Sequence, residues 1–180
     1  MTAQIHERLI LDGEELSMAY CPELPEHHAR LRELSKQEMD ARLKQSWKDM
    51  EAAGRKGELP SLAFVHSTGC WRRYLGAWEV RDGQFFLIAI EGRYELLGDG
   101  PLLADWFTGV LRVPEGKILT YVHMGFGSVY EKELHIHIER GVVTGRRIYD
   151  NRGKTFDEWK LGLDNLPGGE NRFRGDRDFN

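Results

Sequence analysis

The sequence predicts an α+β domain in which β-structure dominates, built on an antiparallel sheet that closes toward a barrel or a sandwich and on one N-terminal amphipathic helix. Two observations carry this prediction. Between residues 61 and 150, apolar and polar side chains alternate with the period of two that is typical of half-buried strands. Turn-forming residues interrupt this alternation every ~8–12 residues, a spacing that favours antiparallel strands over βαβ units.

Residues 1–60 are predicted to form a hairpin and a helix that pack on the main domain. Ile5–Leu11 and Glu14–Met18 flank the dipeptide Asp12-Gly13. This dipeptide readily adopts the positive φ angles of a two-residue hairpin turn. The first two strands are therefore expected to pair with each other.

A capping box and an apolar stripe predict a helix over residues 35–53. Ser35 is a favourable N-cap and Glu38 stands three residues later, so that each side chain can satisfy an amide of the first turn. The apolar side chains that follow recur with helical spacing at Met39, Leu43, Trp47 and Met50. Gly54 is expected to end the helix, and residues 54–60 are expected to link it to the β region.

Residues 61–150 are predicted to form the antiparallel β domain. Asp82-Gly83 predicts a tight hairpin turn, and Pro114-Glu115-Gly116 predicts a three-residue hairpin loop. The predicted strands are Arg72–Val80, Gln84–Ile90, Arg93–Leu97, Asp105–Val113, Lys117–Met124, Val129–Ile138 and Val142–Tyr149.

Residues 151–180 are predicted to contain a short helix followed by a mobile polar tail. Phe156, Trp159 and Leu163 have the spacing of a helix that covers one open side of the sheet. The chain after Leu166 is rich in glycine and charged residues, which predicts the tail.

Charge and cysteine content exclude several classes of function. The net charge is −4 and the isoelectric point is about 6.0, whereas a surface that follows a phosphate backbone needs an excess of Lys and Arg. Cys21 and Cys70 form no Cys-x-x-Cys pair, so neither a disulfide framework nor a zinc knuckle is predicted. The sequence shows no signal peptide and no run of about 18 apolar residues. We therefore expect a cytoplasmic protein with no nucleic-acid partner, no membrane partner and no cofactor.

Three histidines are the candidate metal ligands. His135 and His137 are two residues apart in a predicted strand and share a face, and His123 precedes them by one strand. Three imidazole nitrogens suit zinc or non-haem iron. The alternative is an ordinary half-buried strand in which Leu134 and Ile136 face the core and both histidines face the solvent.

Aromatic side chains are the candidate ligand-binding or partner-binding residues. Gly125 and Gly127 flank Phe126, and positive φ angles at both glycines would make a tight turn that presents the ring. The structural alternative is a turn at a corner of the sheet. With the other aromatics of the β region the candidates are Trp78, Trp106, Tyr121, Phe126 and Tyr130. Facing inward they would fill a core or line a barrel pocket, and facing outward they would form a binding surface.

Two stretches resemble an uncharacterised family of small stand-alone bacterial proteins. They read STGCWRRYLGAWEVRDGQFFL and ADWFTGVLRVPEGKILTYVHMGFGSVYEKEL, and the resemblance covers residues 61–150, about half of the chain. It implies family membership and brings no catalytic residue with it. Some small acidic bacterial proteins of this kind are immunity partners of toxins. The comparison is an analogy with a class of proteins and rests on no matched residue.

Three functions remain open on the sequence. The first, which we favour, is a non-enzymatic cytoplasmic binding protein that engages a protein partner, in the manner of an immunity protein, through an aromatic and acidic surface. The second is a small-ligand binding β-barrel with Trp78, Trp106 and Tyr121 lining its interior. The third is a metal-dependent enzyme that uses the His-x-His strand with His123.

Overall fold

The computed structural model describes residues 2–166 and places most of the β-structure in one sheet. Its strands follow the order β2-β1-β4-β5-β10-β9-β8, with β7 paired to β5, while β3 and β6 form a separate small pair. The strands are β1 (Glu7–Leu11), β2 (Glu14–Met18), β3 (Leu31–Glu33), β4 (Tyr74–Arg81), β5 (Gln84–Gly92), β6 (Tyr94–Leu96), β7 (Leu102–Leu103), β8 (Gly109–Thr120), β9 (Val129–Glu139) and β10 (Val142–Asp150). The prediction of a β-dominated α+β domain is confirmed.

The sheet is mixed, and it is not closed into a barrel. β1 pairs with β2 in an antiparallel hairpin but runs parallel to β4, with Leu9 opposite Trp78. The two end strands of the sheet, β2 and β8, meet through a backbone hydrogen bond of 2.8 Å from the Ala19 amide to the Arg112 carbonyl rather than through a ladder. The prediction of a wholly antiparallel sheet that closes toward a barrel is therefore wrong in these two respects.

Apolar side chains fill the inner face of the curved sheet. Trp78 is fully buried and stacks on Phe85, with ring centroids 4.9 Å apart. Leu9 from β1, Leu111 from β8 and Ile136 from β9 are likewise fully buried in the same cluster. Burial of one such side chain stabilises the fold by roughly 1.5–3 kcal/mol. The N-terminal hairpin and the β region thus share one core.

The two Asp-Gly turns are confirmed. Asp12 and Gly13 have φ angles of 52° and 86°, and Asp82 and Gly83 have φ angles of 51° and 73°. Positive φ at both central residues is the geometry whose twist matches that of the flanking strands. Each dipeptide joins two paired strands, β1 to β2 and β4 to β5.

The predicted hairpin loop at Pro114-Glu115-Gly116 is wrong. β8 runs without interruption from Gly109 to Thr120 and pairs with β9 along its length. The turn formers instead mark a bulge, where the register with β9 shifts between Glu115 and Ile118. Gly116 has a φ of +80°, and a Cβ there would overlap the Glu131 carboxylate, so that glycine allows the strand to kink rather than reverse.

The helices agree with the sequence patterns. α1 (Lys36–Ala52) begins at Ser35 with the predicted reciprocal capping box, and the C-terminal helix, α3 (Phe156–Asp164), buries Trp159 and Leu163. A short helix that the patterns did not predict, α2 (Ser61–Val65), lies between them. The predicted polar tail lies outside the described residues. None of the helices in the described part of the chain has the length and apolar content that a membrane crossing requires.

Candidate functional site

The outer face of β8 and β9 carries a buried cluster of charged residues. Arg112 donates two hydrogen bonds to Glu133, from Nε to Oε2 at 3.1 Å and from Nη2 to Oε1 at 2.9 Å. His135 Nε2 lies 3.0 Å from Glu133 Oε2, and Trp159 Nε1 donates to Glu133 Oε1 at 3.2 Å. Arg112, Glu133, His135 and Trp159, which we call the Glu133 cluster, are each at most 4% exposed.

Strand register explains why these side chains meet. Arg112 on β8 lies directly opposite His135 on β9, and cross-strand partners share a face of the sheet. Glu133 is two residues from His135 and therefore lies on the same face. α3 covers this face with Trp159, whose ring lies 5.4 Å from the Arg112 guanidinium carbon. The helix thus packs on a buried charge pair as well as on the apolar side chain of Val129.

The carboxylate of Glu133 is held in its ionised form. Burial on its own would raise the pKa of Glu133, but the hydrogen bond from His135 and the charge and hydrogen bonds of Arg112 outweigh it and lower that pKa to about 2. An ionised carboxylate only accepts hydrogen bonds, so His135 Nε2 must carry a proton. This contact therefore fixes which nitrogen of the imidazole is protonated when the ring is neutral.

The expectation that His135 faces the solvent is wrong, because α3 and Arg112 cover it. His137 is half-buried on the same strand, and His123 is exposed and bonds to Tyr121, with His123 Nδ1 2.8 Å from the phenol oxygen. The three predicted metal ligands are therefore not brought together. Within residues 2–166, no group of three or more His, Cys, Asp or Glu side chains is arranged to hold a metal ion.

A second buried pair joins the N-terminal strand to the loop before β4. Arg72 Nε donates to Glu7 Oε1 at 2.6 Å, and Glu7 Oε2 accepts hydrogen bonds from Trp78 Nε1 at 3.1 Å and from the Gly76 amide. Glu7 is 1% exposed, and burial raises its pKa above the ordinary value against the opposing charge of Arg72. Since a Cβ on Gly76 would overlap both the Glu7 carboxylate and the Trp78 indole, glycine is required there.

Between these two charge pairs lies His6. Its Nδ1 is 2.8 Å from the Ser17 hydroxyl, and its ring lies 5.7 Å from that of Phe126. Burial, followed by the positive charges of Arg112 and Arg72, lowers the pKa of His6 to about 4. His6 is therefore neutral at pH 7.

The Gly125-Phe126-Gly127 turn faces inward rather than outward. Gly125 has a φ of +54°, and its carbonyl and amide both bond to the N-terminal segment. Phe126 is only 9% exposed, and its carbonyl accepts a hydrogen bond of 3.5 Å from Arg112 Nη1. A Cβ on Gly127 would lie 3.0 Å from the Met124 carbonyl oxygen, so this glycine serves a close backbone approach. Of the two alternatives for this stretch, the structure agrees with the structural turn and not with an outward presentation of the Phe126 ring, because the N-terminal segment and Arg112 hold the turn against the sheet.

Gln4 fastens this turn to the loop before β4. Its backbone amide donates to the Gly125 carbonyl at 2.9 Å. In its side chain, Nε2 donates to the Thr68 carbonyl at 3.2 Å, and Oε1 accepts from the Trp71 backbone amide at 2.9 Å. The Gln4 side chain is 8% exposed and makes contacts that an alanine could not replace. One residue thus connects three segments that are distant in sequence.

Replacing Gln4 by alanine is therefore expected to lower the free energy of unfolding by about 1–3 kcal/mol, because the Trp71 amide and the Thr68 carbonyl lose buried partners. Urea denaturation at pH 7 measures the change. Gln37→Ala, at an exposed position in α1, is the matched control and should stay within about 0.5 kcal/mol of the parent protein. Equal losses in both variants would contradict the role of Gln4.

The other aromatic candidates lie in different environments. Trp78 fills the core, as described above. Trp106 is half-buried, donates from Nε1 to the Glu23 carbonyl at 2.9 Å and lies against His28. Tyr130 is half-buried with its ring 6.3 Å from that of His6, and Tyr121 is 62% exposed. The structure brings Phe126 and Tyr130 together around His6 and leaves Tyr121 open to solvent.

Tyr121 and two other large apolar side chains are exposed at the end of the β8–β9 hairpin. Ile118 is 50% exposed and Leu119 is 45% exposed, and both lie beyond the bulge at Gly116. These two residues and Tyr121, which we call the hairpin patch, place three large apolar side chains within four positions of the chain. The described residues of this part of β8 pair only with β9.

The sequence patterns did not predict the buried charges, although a signal for one of them is present. Arg112 interrupts the apolar run Val110–Val113. A charged residue inside such a run either lies on an edge strand or is buried and paired with an opposite charge. Glu7 and Glu133 lie in segments that read as ordinary alternating strands, so their burial has no such signal. Comparison of the chain with protein-family profiles, with curated proteins and with solved structures found no match.

Proposed function

We propose that this protein is a non-enzymatic binding protein that engages a protein partner through the hairpin patch. The observation that supports the proposal is the run of exposed apolar side chains at Ile118, Leu119 and Tyr121. The other large apolar side chains that are exposed within residues 2–166 lie at least five positions apart in the chain, and single exposed apolar residues need no explanation.

The composition of the patch and its surroundings suits a protein partner. Tyrosine is enriched among the residues that dominate binding energy, and the hydrogen bond between Tyr121 and His123 restrains the ring before binding. Glu115, Lys117 and Lys132 supply charges of both signs around the patch. A mixed polar rim around an apolar centre is the usual anatomy of a protein interface, whereas a nucleic acid would require a basic surface.

The buried charge clusters support the proposal by connecting the hairpin to the neighbouring elements. The Glu133 cluster joins β8 to β9 and to α3 just before the patch, and Gln4 and Arg112 hold the loop 121–128 against the sheet. A surface that is already ordered loses less conformational entropy on binding. The patch is therefore presented on a preorganised support.

The test is capture of a partner by the tagged chain from its own host, followed by measurement of the affinity of the purified pair. Tyr121→Asp and Ile118→Asp are each expected to weaken that affinity by about 30-fold or more, because they place a charge in the apolar centre of the interface. Both positions are exposed, so the variants should keep their stability.

The matched control is Ile148→Asp on β10, where the side chain is 61% exposed but lies outside the patch. Its affinity for the partner should equal that of the parent chain. The proposal is wrong if the patch variants bind the captured partner as tightly as Ile148→Asp does, or if no partner is captured in stoichiometric amount under any growth condition of the host.

A further inference from the structure

A cavity of about 440 Å³ lies between the loop at residues 24–29 and the small sheet of β3 and β6. Apolar side chains form part of its wall: Leu24 and Pro25 come from the loop, Leu31 from β3 and Tyr94 from β6. Sites for small organic ligands combine apolar walls with a few polar groups and typically occupy about 300–1,000 Å³. The volume of this cavity therefore suits a small organic molecule.

Contacts with two other segments hold the loop in place. Trp106 Nε1 donates to the Glu23 carbonyl at 2.9 Å, and the Trp106 ring lies 5.7 Å from that of His28. The Arg30 guanidinium donates to the Leu97 carbonyl at 2.7 Å. The loop is thus connected to Trp106 on one side and to the chain after β6 on the other. A site whose wall is already connected in this way loses less conformational entropy on binding.

The carboxylates of Glu26 and Glu33 give the lining its charge, and no lysine or arginine is among the described residues that line the cavity. Arg93 Nη2 lies 2.7 Å from Glu33 Oε1 and offsets that charge. By contrast, no Lys, Arg or His nitrogen of residues 2–166 lies within 4.0 Å of a Glu26 carboxylate oxygen. Glu26 is therefore left without an opposite charge in the described part of the chain.

The two histidines in the lining do not supply that opposite charge. The Arg30 backbone amide donates to His28 Nδ1 at 3.1 Å. A ring nitrogen that accepts a hydrogen bond carries no proton, so the His28 ring is neutral while this bond is present, with its proton on Nε2. His27 is exposed, and an exposed imidazole is neutral at pH 8. At that pH the negative charge of Glu26 is uncompensated.

We propose that this cavity binds a small organic ammonium ion that has an apolar body. The ammonium group pairs with the Glu26 carboxylate, and the apolar body packs against Leu24, Leu31 and Tyr94. A cation of this kind matches both the charge and the apolar wall, whereas an organic anion would face Glu26 with no cation in the described lining. None of the described lining residues belongs to the hairpin patch, so this site is separate from the proposed protein interface.

The test compares tryptamine with tryptophol, in which a hydroxyl replaces the ammonium group on the same indole body. Each compound is titrated into the full chain at pH 8, where an alkyl ammonium remains charged, and the backbone amide signals are followed by NMR. Tryptamine should produce saturable shifts centred on residues 24–33 and on Tyr94. Tryptophol should bind about three- to fivefold more weakly, which is the size of effect expected for one exposed ion pair.

Glu26→Gln should weaken tryptamine binding by a similar factor and leave tryptophol binding unchanged. Glu23→Gln is the matched control, since Glu23 is exposed in the same segment but does not line the cavity. It should bind both compounds as the parent chain does. The absence of a saturable shift, or saturable shifts confined to other residues, would overturn the proposal. Equal affinity of the parent chain for the two compounds, or equal losses in Glu26→Gln and Glu23→Gln, would overturn it as well.

Discussion

Replacing Arg112 by methionine is expected to lower the free energy of unfolding by about 3–5 kcal/mol, the largest effect that we expect of a single substitution. Glu133 is 1% exposed and ionised, so the variant would leave a buried charge without its cation. Methionine fills a similar volume, which keeps the loss of packing small. Urea denaturation at pH 7, followed by tryptophan fluorescence, measures the change.

A double-mutant cycle separates the charge from the packing. Glu133→Gln removes the negative charge and keeps one acceptor oxygen, which can serve either His135 or Trp159. Arg112→Met combined with Glu133→Gln should therefore be less destabilised than the sum of the two single losses. Arg8→Met is the matched control, because the Arg8 side chain is 50% exposed. A loss below about 1 kcal/mol in Arg112→Met, similar to that of the control, would show that the pair is not required for stability.

Arg112→Met also tests whether the buried charges support the proposed binding surface. Arg112 holds β8 to β9 through Glu133 and holds the Phe126 carbonyl through Nη1. Both contacts fix the support of the hairpin patch. Arg112→Met should therefore weaken partner affinity even though Arg112 itself is buried and makes no contact with the solvent.

Local patterns predicted the local elements of this fold correctly. The capping box at Ser35 and Glu38 and the Asp-Gly turns depend on residues within a few positions of one another, and each is present in the structure. The helix that carries Trp159 was also predicted to cover one side of the sheet. Such elements are specified by backbone chemistry that a short stretch of sequence contains.

The non-local features could not be predicted in this way. The parallel pairing of β1 with β4 joins residues about 70 positions apart, and no periodicity within either strand indicates its direction. Glu133 and His135 alternate with Leu134 and Ile136 just as solvent-facing residues do. Their burial depends on α3 and on Arg112, so the pattern identified the face of the strand but not what covers it.

The candidate site likewise combines residues that the sequence predicts with residues that it does not. Tyr121 was recognised as a candidate from its residue type and is exposed in the structure, whereas Ile118 and Leu119 were read only as part of a strand. The sequence pattern predicts a turn at Gly116, whereas the structure has a bulge there, and the residues of β8 that follow it are exposed although they still pair with β9. Residue type alone could not reveal that two apolar neighbours would remain uncovered.

Acidification is expected to destabilise the protein through His6, by up to about 3 kcal/mol between pH 7 and pH 4. The pKa of His6 falls from an ordinary value of 6.5 to about 4 in the folded state. The unfolded chain therefore binds a proton at higher pH than the folded chain does. The contribution of neutral His6 to stability is complete above pH 6.5 and is lost progressively as the pH falls to about 4.

Comparison of the parent chain with His6→Gln isolates this effect from the carboxylates. Glu133, whose pKa is lowered to about 2, loses its contribution only below an ordinary value of 4.5, and Glu7, whose pKa is raised, acts with the opposite sign. Both carboxylates are present in both proteins, so their effects cancel in the difference. Urea denaturation at pH values between 7 and 4 should give a free-energy curve for His6→Gln that is flatter than that of the parent chain. Parallel curves would mean that His6 takes up its proton equally in the folded and unfolded states, and that neither burial nor the charges of Arg72 and Arg112 act on it.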